Sequence, residues 1–227
     1  LNKTKIEWTN YSWNPIKGLC PQACWYCYGR AMHKRFKWNP ELSWDGRVPI
    51  LSNKKPSRIF VCSTIEMFHP QIPKEWRDRI FGTIEADFNK KHTFQILTKL
   101  PQNIDRPMPD NVWLGVSIVK GDEAGWDRIY RLKEVKARLK FISIEPILGM
   151  LNTPMISNMV DFDWFIFGRL TGYGKKHDPD KRWITPAVDY FRGYKKPVFL
   201  KDNLKEIWGD NLIQEFPKEG GENGGER

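Results

Sequence analysis

At 227 residues, with 40% hydrophobic and 14% aromatic residues, the chain can bury a sizeable core and lacks the composition of a disordered tail. Four cysteines, three of them within eight residues, are too few and too uneven for a disulfide framework, and no apolar run is long enough to cross a membrane. Leu1 to Trp8 carries no apolar leader, so the expectation is a cytoplasmic protein with no membrane partner, and the net charge of +10 makes nucleic acid a candidate partner without establishing one.

In chain order, a first strand is expected around Ile6 to Thr9, ahead of the cysteines. The stretch from Lys37 to Pro56 has no clear period and reads as a lid or a set of short elements. Arg58 to Ser63 reads as a buried strand. Pro73 then precedes a helix over Lys74 to Phe88, with Trp76, Ile80, Phe81, Ile84 and Phe88 on one face. His92 to Thr98 and Asn111 to Ile118 are further strands. Glu123 to Leu139 is a helix, and Lys140 to Glu145 a strand ending at Pro146. Asp161 to Gly168 is another strand, Pro186 to Arg192 a short helix, and Pro197 to Leu200 a last strand. Strands apolar on both faces and separated by helices indicate parallel βα units. The expected fold is therefore one α/β domain, as an open sheet or as a full or partial barrel. From Pro217 to Arg227 nothing can build a core, and disorder is expected.

Polar residues gather at the carboxyl ends of these strands: Ser63, Thr64 and Glu66, then Thr98 and Lys99, then Ser117, Ser143 and Glu145, and finally Arg169. That rim is where parallel sheets bind ligands. Glu145 and Lys99 stand out because a charge late in an apolar strand is costly unless it is paired or liganded, and the two could simply pair with each other. Ser63 and Ser117 have the competing role of turn capping. His69, before Pro70, reads as a turn residue, and Cys62 as a core residue. The tryptophans Trp8, Trp13, Trp25, Trp38 and Trp44 read as core or as a shield around the cysteines, with stacking on a base as the alternative.

Cys20, Cys24 and Cys27 are spaced C-x3-C-x2-C, so three soft thiolates can converge within one loop. Three readings stand at this level: a [4Fe–4S] cluster with one iron left open, a structural Cys3His zinc site completed by His33, or three unliganded thiols.

The cysteine spacing, with Tyr26 before the last cysteine, resembles the signature of the radical S-adenosylmethionine superfamily. The surrounding text is similar to its phage Gp37/Gp68-like branch, the DUF5131-type proteins. The similar passages are Ile6 to Pro15, Arg58 to Ser63 with Met67-Phe-His69, His92 to Lys99, Asn111 to Ser117, Phe141 to Gly149 and Trp164 to Gly168. The resemblance implies a partial (βα)6-type barrel over residues 1–203 with the cluster loop after its first strand, and an extension over residues 204–227. It implies a [4Fe–4S] cluster on Cys20, Cys24 and Cys27, and S-adenosyl-L-methionine on the open iron. Tyr26 would pack near them, with Ser63, Glu66, Lys99, Ser117, Glu145 and Arg169 as further cofactor-binding residues. The activity implied is reductive cleavage to a 5′-deoxyadenosyl radical that takes hydrogen from an unknown substrate. The electron would come from a reductant such as flavodoxin or ferredoxin, and nucleic acid and a partner protein are candidates for recognition. The segment Cys62-Ser-Thr-Ile-Glu66 lacks the glycines of the superfamily's usual Gly-Gly-Glu. Gly168-Arg-Leu-Thr-Gly172 replaces the branch's Gly-Gly-Glu-Ser-Gly, and Lys201 matches a lysine near the end of relatives. The competing function is a non-catalytic nucleic-acid-binding protein with a structural zinc or iron–sulfur site.

Overall fold

The computed structural model describes residues 1–47, 51 and 54–218. Its main sheet has eight strands in the order β1 (Asn2–Lys3), β2 (Tyr11–Trp13), β5 (Arg58–Val61), β6 (Thr93–Thr98), β7 (Val112–Ile118), β8 (Leu139–Ile144), β9 (Trp164–Phe167) and β10 (Val198–Leu200). All neighbours from β2 onward are parallel, and β1 is antiparallel to β2. The crossovers carry α1 (Tyr28–Phe36), α2 (Lys74–Glu85), α3 (Glu123–Glu134), α4 (Thr153–Asn158) and α5 (Lys181–Gly193), and α6 (Lys205–Trp208) follows β10. A small antiparallel pair, β3 (Ile16–Lys17) with β4 (Ser43–Trp44), lies outside the main sheet.

The sheet is a mixed α/β arrangement, and among the described residues its end strands β1 and β10 do not pair with each other, so hydrogen bonds do not close it into a barrel. Along the edge of β10, the Leu200 N–H donates to Ile213 O at 2.7 Å and the Glu215 N–H to Val198 O at 2.9 Å. Phe216 then packs its ring 5.5 Å from Trp164, and Arg58 of β5 lies 4.2 Å over it. The segment after residue 204 is therefore structured as far as Phe216. The expected disorder over 217–227 falls mostly on residues 219–227, outside the described residues.

Strand alternation splits the core in two. Val112, Leu114, Val116, Ile142, Ile144, Phe165 and Phe167 face the helices. Trp113, Leu139, Phe141, Trp164 and Phe199 face the inside, joined there by Trp8 and Phe60. Parallel register makes rungs of the inner residues: Trp113 beside Leu139, Gly115 beside Phe141, Ser117 beside Ser143. The inside is thus aromatic at the amino ends of the strands and polar at the carboxyl ends. Gly115 is required by this packing, because a Cβ there would stand 2.5 Å from the Phe141 ring.

Several boundaries differ from the sequence reading. The first parallel strand is Tyr11–Trp13, not Ile6 to Thr9; Ile6 and Trp8 are apolar because they plug the interior. The helix after β5 ends at Glu85, and Phe88 is exposed. The helix after β7 ends at Glu134, and Leu139 already begins β8. Glu145 follows β8 instead of ending it. The last long helix starts at Lys181, capped by Asp180, with Pro186 inside it. In the irregular stretch before Pro56, β4 is a recognisable element, while Val48, Pro49, Ile50, Ser52 and Asn53 lie outside the described residues. Among the described residues, no helix is long and apolar enough to cross a membrane.

Candidate functional site

The cysteine loop lies between β3 and α1, and Cys27 is the residue that caps α1. Arg30 of α1 donates through Nη1 to Cys20 O at 3.1 Å, tying the helix back to the loop. Tyr28 Oη donates to Ser63 O at 3.0 Å, fastening the start of α1 to the segment after β5. The Glu66 N–H donates to Cys20 Sγ at 3.3 Å. Burial pushes the Cys20 thiol up, with the Glu66 amide working against it. Burial likewise raises Tyr26, reinforced by the neighbouring Cys24, so its phenol stays neutral.

One cavity of about 290 Å³ opens at the carboxyl rim of the sheet. Cys20, Cys24, Cys27 and Tyr26 line one side, and Ser63, Glu66, Lys99, Ser117, Glu145 and Arg169 line the rest. The ten residues that the family resemblance implies for the site therefore line one cavity, whereas Thr98 and His33 do not.

Their partners differ from what the sequence suggested. Glu145 does not pair with Lys99: Lys201 Nζ donates to Glu145 Oε1 at 2.6 Å, with Glu7 Oε2 3.8 Å from the same nitrogen. Burial opposes the Lys201 ammonium, but Glu145 and Glu7 outweigh it and its pKa is raised. Lys201 and Glu145 also press against Gly168, where a Cβ would stand 2.8 Å from Glu145 Cδ. Glu66 accepts from Thr98 Oγ1 at 2.6 Å, the Lys99 N–H at 2.7 Å and the Phe68 N–H at 3.3 Å. Its carboxylate thus anchors the β5 loop to the end of β6. Lys99 Nζ lies 6.0 Å over the Tyr26 ring. Ser117 Oγ donates to Glu145 O at 3.1 Å, and Ser63 Oγ exchanges hydrogen bonds with the Asn14 side chain. Arg169 spends its Nη1 on Asp178 of the loop after β9 at 3.0 Å and on Glu206 of α6 at 3.1 Å.

Ser143, one of the polar strand ends read from the sequence, lines the cavity, is 1% exposed, and its Oγ has no hydrogen-bond partner among the described residues. Arg128 of α3 donates to Lys99 O at 3.1 Å and Ser117 O at 3.0 Å, drawing the ends of β6 and β7 together. Its only sequence signal is a position one helix into the crossover. His69 is a turn residue whose Nδ1 accepts from the Gln71 N–H. Cys62 is buried at a φ of 54° and lines the cavity floor.

Among the described residues, no group of three or more His, Cys, Asp or Glu side chains is close enough to hold a single metal ion. His33 packs its ring 5.3 Å from Trp38 and does not join the cysteines around the cavity. The Cys3His arrangement is therefore not formed. A polynuclear cluster fits the donor chemistry better: three thiols from one short loop, on one wall of a cavity with room beside them.

No curated protein matches the chain. Two solved structures share its fold at 12% identity. One is a double mutant of spore photoproduct lyase with bound AdoMet and dinucleoside spore photoproduct, at a TM-score of 0.54 over 83% of this chain and 63% of that one. The other is spore photoproduct lyase complexed with dinucleoside spore photoproduct, at 0.51 over 94% and 70%. The chain thus spans less than two thirds of the length of the first. A family described only as a protein of unknown function, DUF5131, matches residues 3–223. The chain belongs to the DUF5131 family, and its fold is similar to that of spore photoproduct lyase.

Proposed function

We propose that this protein is a radical S-adenosylmethionine enzyme, with residues 1–203 as the catalytic unit and 204–227 as an extension. The observation that carries the reading is that one cavity is lined jointly by Cys20, Cys24 and Cys27 and by the polar strand ends from Ser63 to Glu145. Cys20, Cys24 and Cys27 would hold a [4Fe–4S] cluster, and S-adenosyl-L-methionine would occupy the space above the ends of β5 to β8. When bound, the two supply reductive cleavage to methionine and a 5′-deoxyadenosyl radical, with an electron from a reductant such as flavodoxin or ferredoxin. A neighbour of similar fold has AdoMet bound, which supports the cofactor assignment.

The chain's own residues would divide the remaining work. Glu145 and Lys201 offer a carboxylate and an ammonium to the charged ends of an amino acid moiety. Ser143 Oγ is a buried hydroxyl beside the cavity with no partner among the described residues, and unsatisfied buried polar atoms are rare enough to need one. Glu66 acts by positioning, since its oxygens already hold Thr98 and Lys99. Tyr26, held neutral by burial, packs an apolar ring against the cavity and excludes water.

Anaerobic reconstitution with iron and sulfide tests the reading. It should give a brown protein that forms 5′-deoxyadenosine from AdoMet only when dithionite is present. Cys27→Ala should lose both colour and product. A reconstituted protein holding iron and sulfide that neither binds nor cleaves AdoMet refutes the proposal, and zinc without iron or sulfide supports the non-catalytic alternative.

A further inference from the structure

From Trp8 to Pro40 the chain has no acidic residue, yet it carries Lys17, Arg30, Lys34, Arg35 and Lys37. Lys34, Arg35 and Lys37 are exposed at the end of α1, and no described carboxylate pairs with them. Beside them Phe36 and Trp38 are 51% and 45% exposed and stacked at 5.5 Å. Within the cysteine loop, Trp25 is 56% exposed, with Tyr173 and His177 packed at 5.6 and 5.3 Å. Tyr173 Oη donates to Trp25 O at 2.9 Å, fixing this second group in place. Lys175 and Lys176, exposed and with no described ion-pair partner, lie between those two residues in sequence.

A solvated basic face explains the lysines and does not explain the aromatics. Large exposed rings cost free energy in water and normally lie singly, whereas these form two packed groups interleaved with cations that no described carboxylate neutralises, one of them, Arg35, lying 5.3 Å over the Phe36 ring. Aromatic faces for bases and cations for phosphates are the two components of single-stranded nucleic-acid binding. Between Tyr28 and Phe36, α1 rises about 12 Å, or about three phosphate steps of a stacked strand.

We infer that the surface carrying Trp25, Tyr173 and His177 at the cysteine loop and Phe36 and Trp38 at the end of α1 binds single-stranded nucleic acid. Lys34, Arg35, Lys37, Lys175 and Lys176 would take its phosphates. The inference deepens the enzyme reading and rests on it only for what enters the cavity. Trp25 lies between the cavity-lining Cys24 and Tyr26 and Thr171 lines the rim, so a strand on this surface lies at the mouth. Duplex is disfavoured because paired bases cannot stack on protein rings.

Fluorescence anisotropy with a labelled oligothymidylate tests this on the full chain, both cluster-free and reconstituted. The single strand should bind at least about tenfold tighter than the same length of duplex, with a negative log–log salt dependence. Lys34→Glu with Arg35→Glu should make that salt slope shallower by about 1.4. Trp38→Ala, which removes no charge, should weaken binding by about tenfold. Circular dichroism of each variant separates loss of binding from loss of fold. Equal affinity for polyglutamate or duplex, or no effect of Trp38→Ala in a folded variant, overturns the inference. Binding needs no reductant. A protein that cleaves AdoMet and ignores the oligonucleotide overturns this inference alone, and one that binds the oligonucleotide and never cleaves AdoMet overturns the enzyme reading alone.

Discussion

Replacing Lys201 with Met removes the ammonium that donates to Glu145 at 2.6 Å while keeping most of the side chain's volume. The pair is largely buried, with Lys201 at 15% and Glu145 at 26% side-chain exposure. At a charge separation of about 4 Å and an effective dielectric of about 20, the attraction is about 4 kcal/mol. Desolvation offsets much of it, and water can reach the orphaned Glu145, so the expected net loss is about 2 kcal/mol. For a domain of this size that lowers Tm by about 4 to 8 °C. The sign of the pH dependence follows from the raised pKa of Lys201. A folded pKa above the unfolded one gives stabilisation that is complete below the ordinary lysine value of 10.5 and is lost only as pH rises through the folded value. The destabilisation by Lys201→Met should therefore be the same from about pH 6 to about pH 9 and shrink only in stronger alkali. Urea unfolding of the wild type, Lys201→Met, Glu145→Gln and the double variant gives the coupling directly, and about 1.5 to 2 kcal/mol is expected. A coupling below about 0.5 kcal/mol would refute the argument, because the pair would then behave as a solvated surface contact.

Gly168→Ala places a Cβ 2.8 Å from Glu145 and 3.0 Å from Lys201. It should cost about 1 to 3 kcal/mol in thermal unfolding, and less in the Lys201→Met background; equal costs in both backgrounds would mean the clash is relieved elsewhere. Ser143→Ala deletes a buried hydroxyl without a partner. Its denaturant midpoint should match or exceed that of the wild type, whereas a loss above about 1 kcal/mol would show that the hydroxyl is already satisfied. Burial pushes the Cys62 thiol up, while Cys24 and Cys27 are partly exposed. In the cluster-free protein, iodoacetamide near about pH 8 should label Cys24 and Cys27 well before Cys62; peptide mass mapping that finds Cys62 labelled first contradicts the packing.

Much of the fold could be read from period alone. The β6 to β10 strands and α2 were visible because each is an apolar run or a one-faced helix whose neighbours are polar. The first strand was misplaced because Ile6 and Trp8 are apolar for a different reason: they fill the sheet's interior. Helix α1 carries one buried residue, Gly29, so its nine residues left no hydrophobic stripe to detect. Sheet closure has no sequence signature at all, since it depends on whether the two end strands meet.

The three cysteines, their spacing and the polar residue after each strand were determined by the sequence itself, because a parallel sheet puts every strand's carboxyl end on one rim. Their gathering around one cavity follows from that geometry. What only the tertiary structure decided is which charges meet. Lys201, 56 residues from Glu145, reaches it because β10 stands two strands from β8 and both end beside Gly168. Arg169, one residue beyond β9, turns to Asp178 and Glu206 instead. Pairing of long charged side chains depends on packing across strands, which leaves no local pattern in the chain.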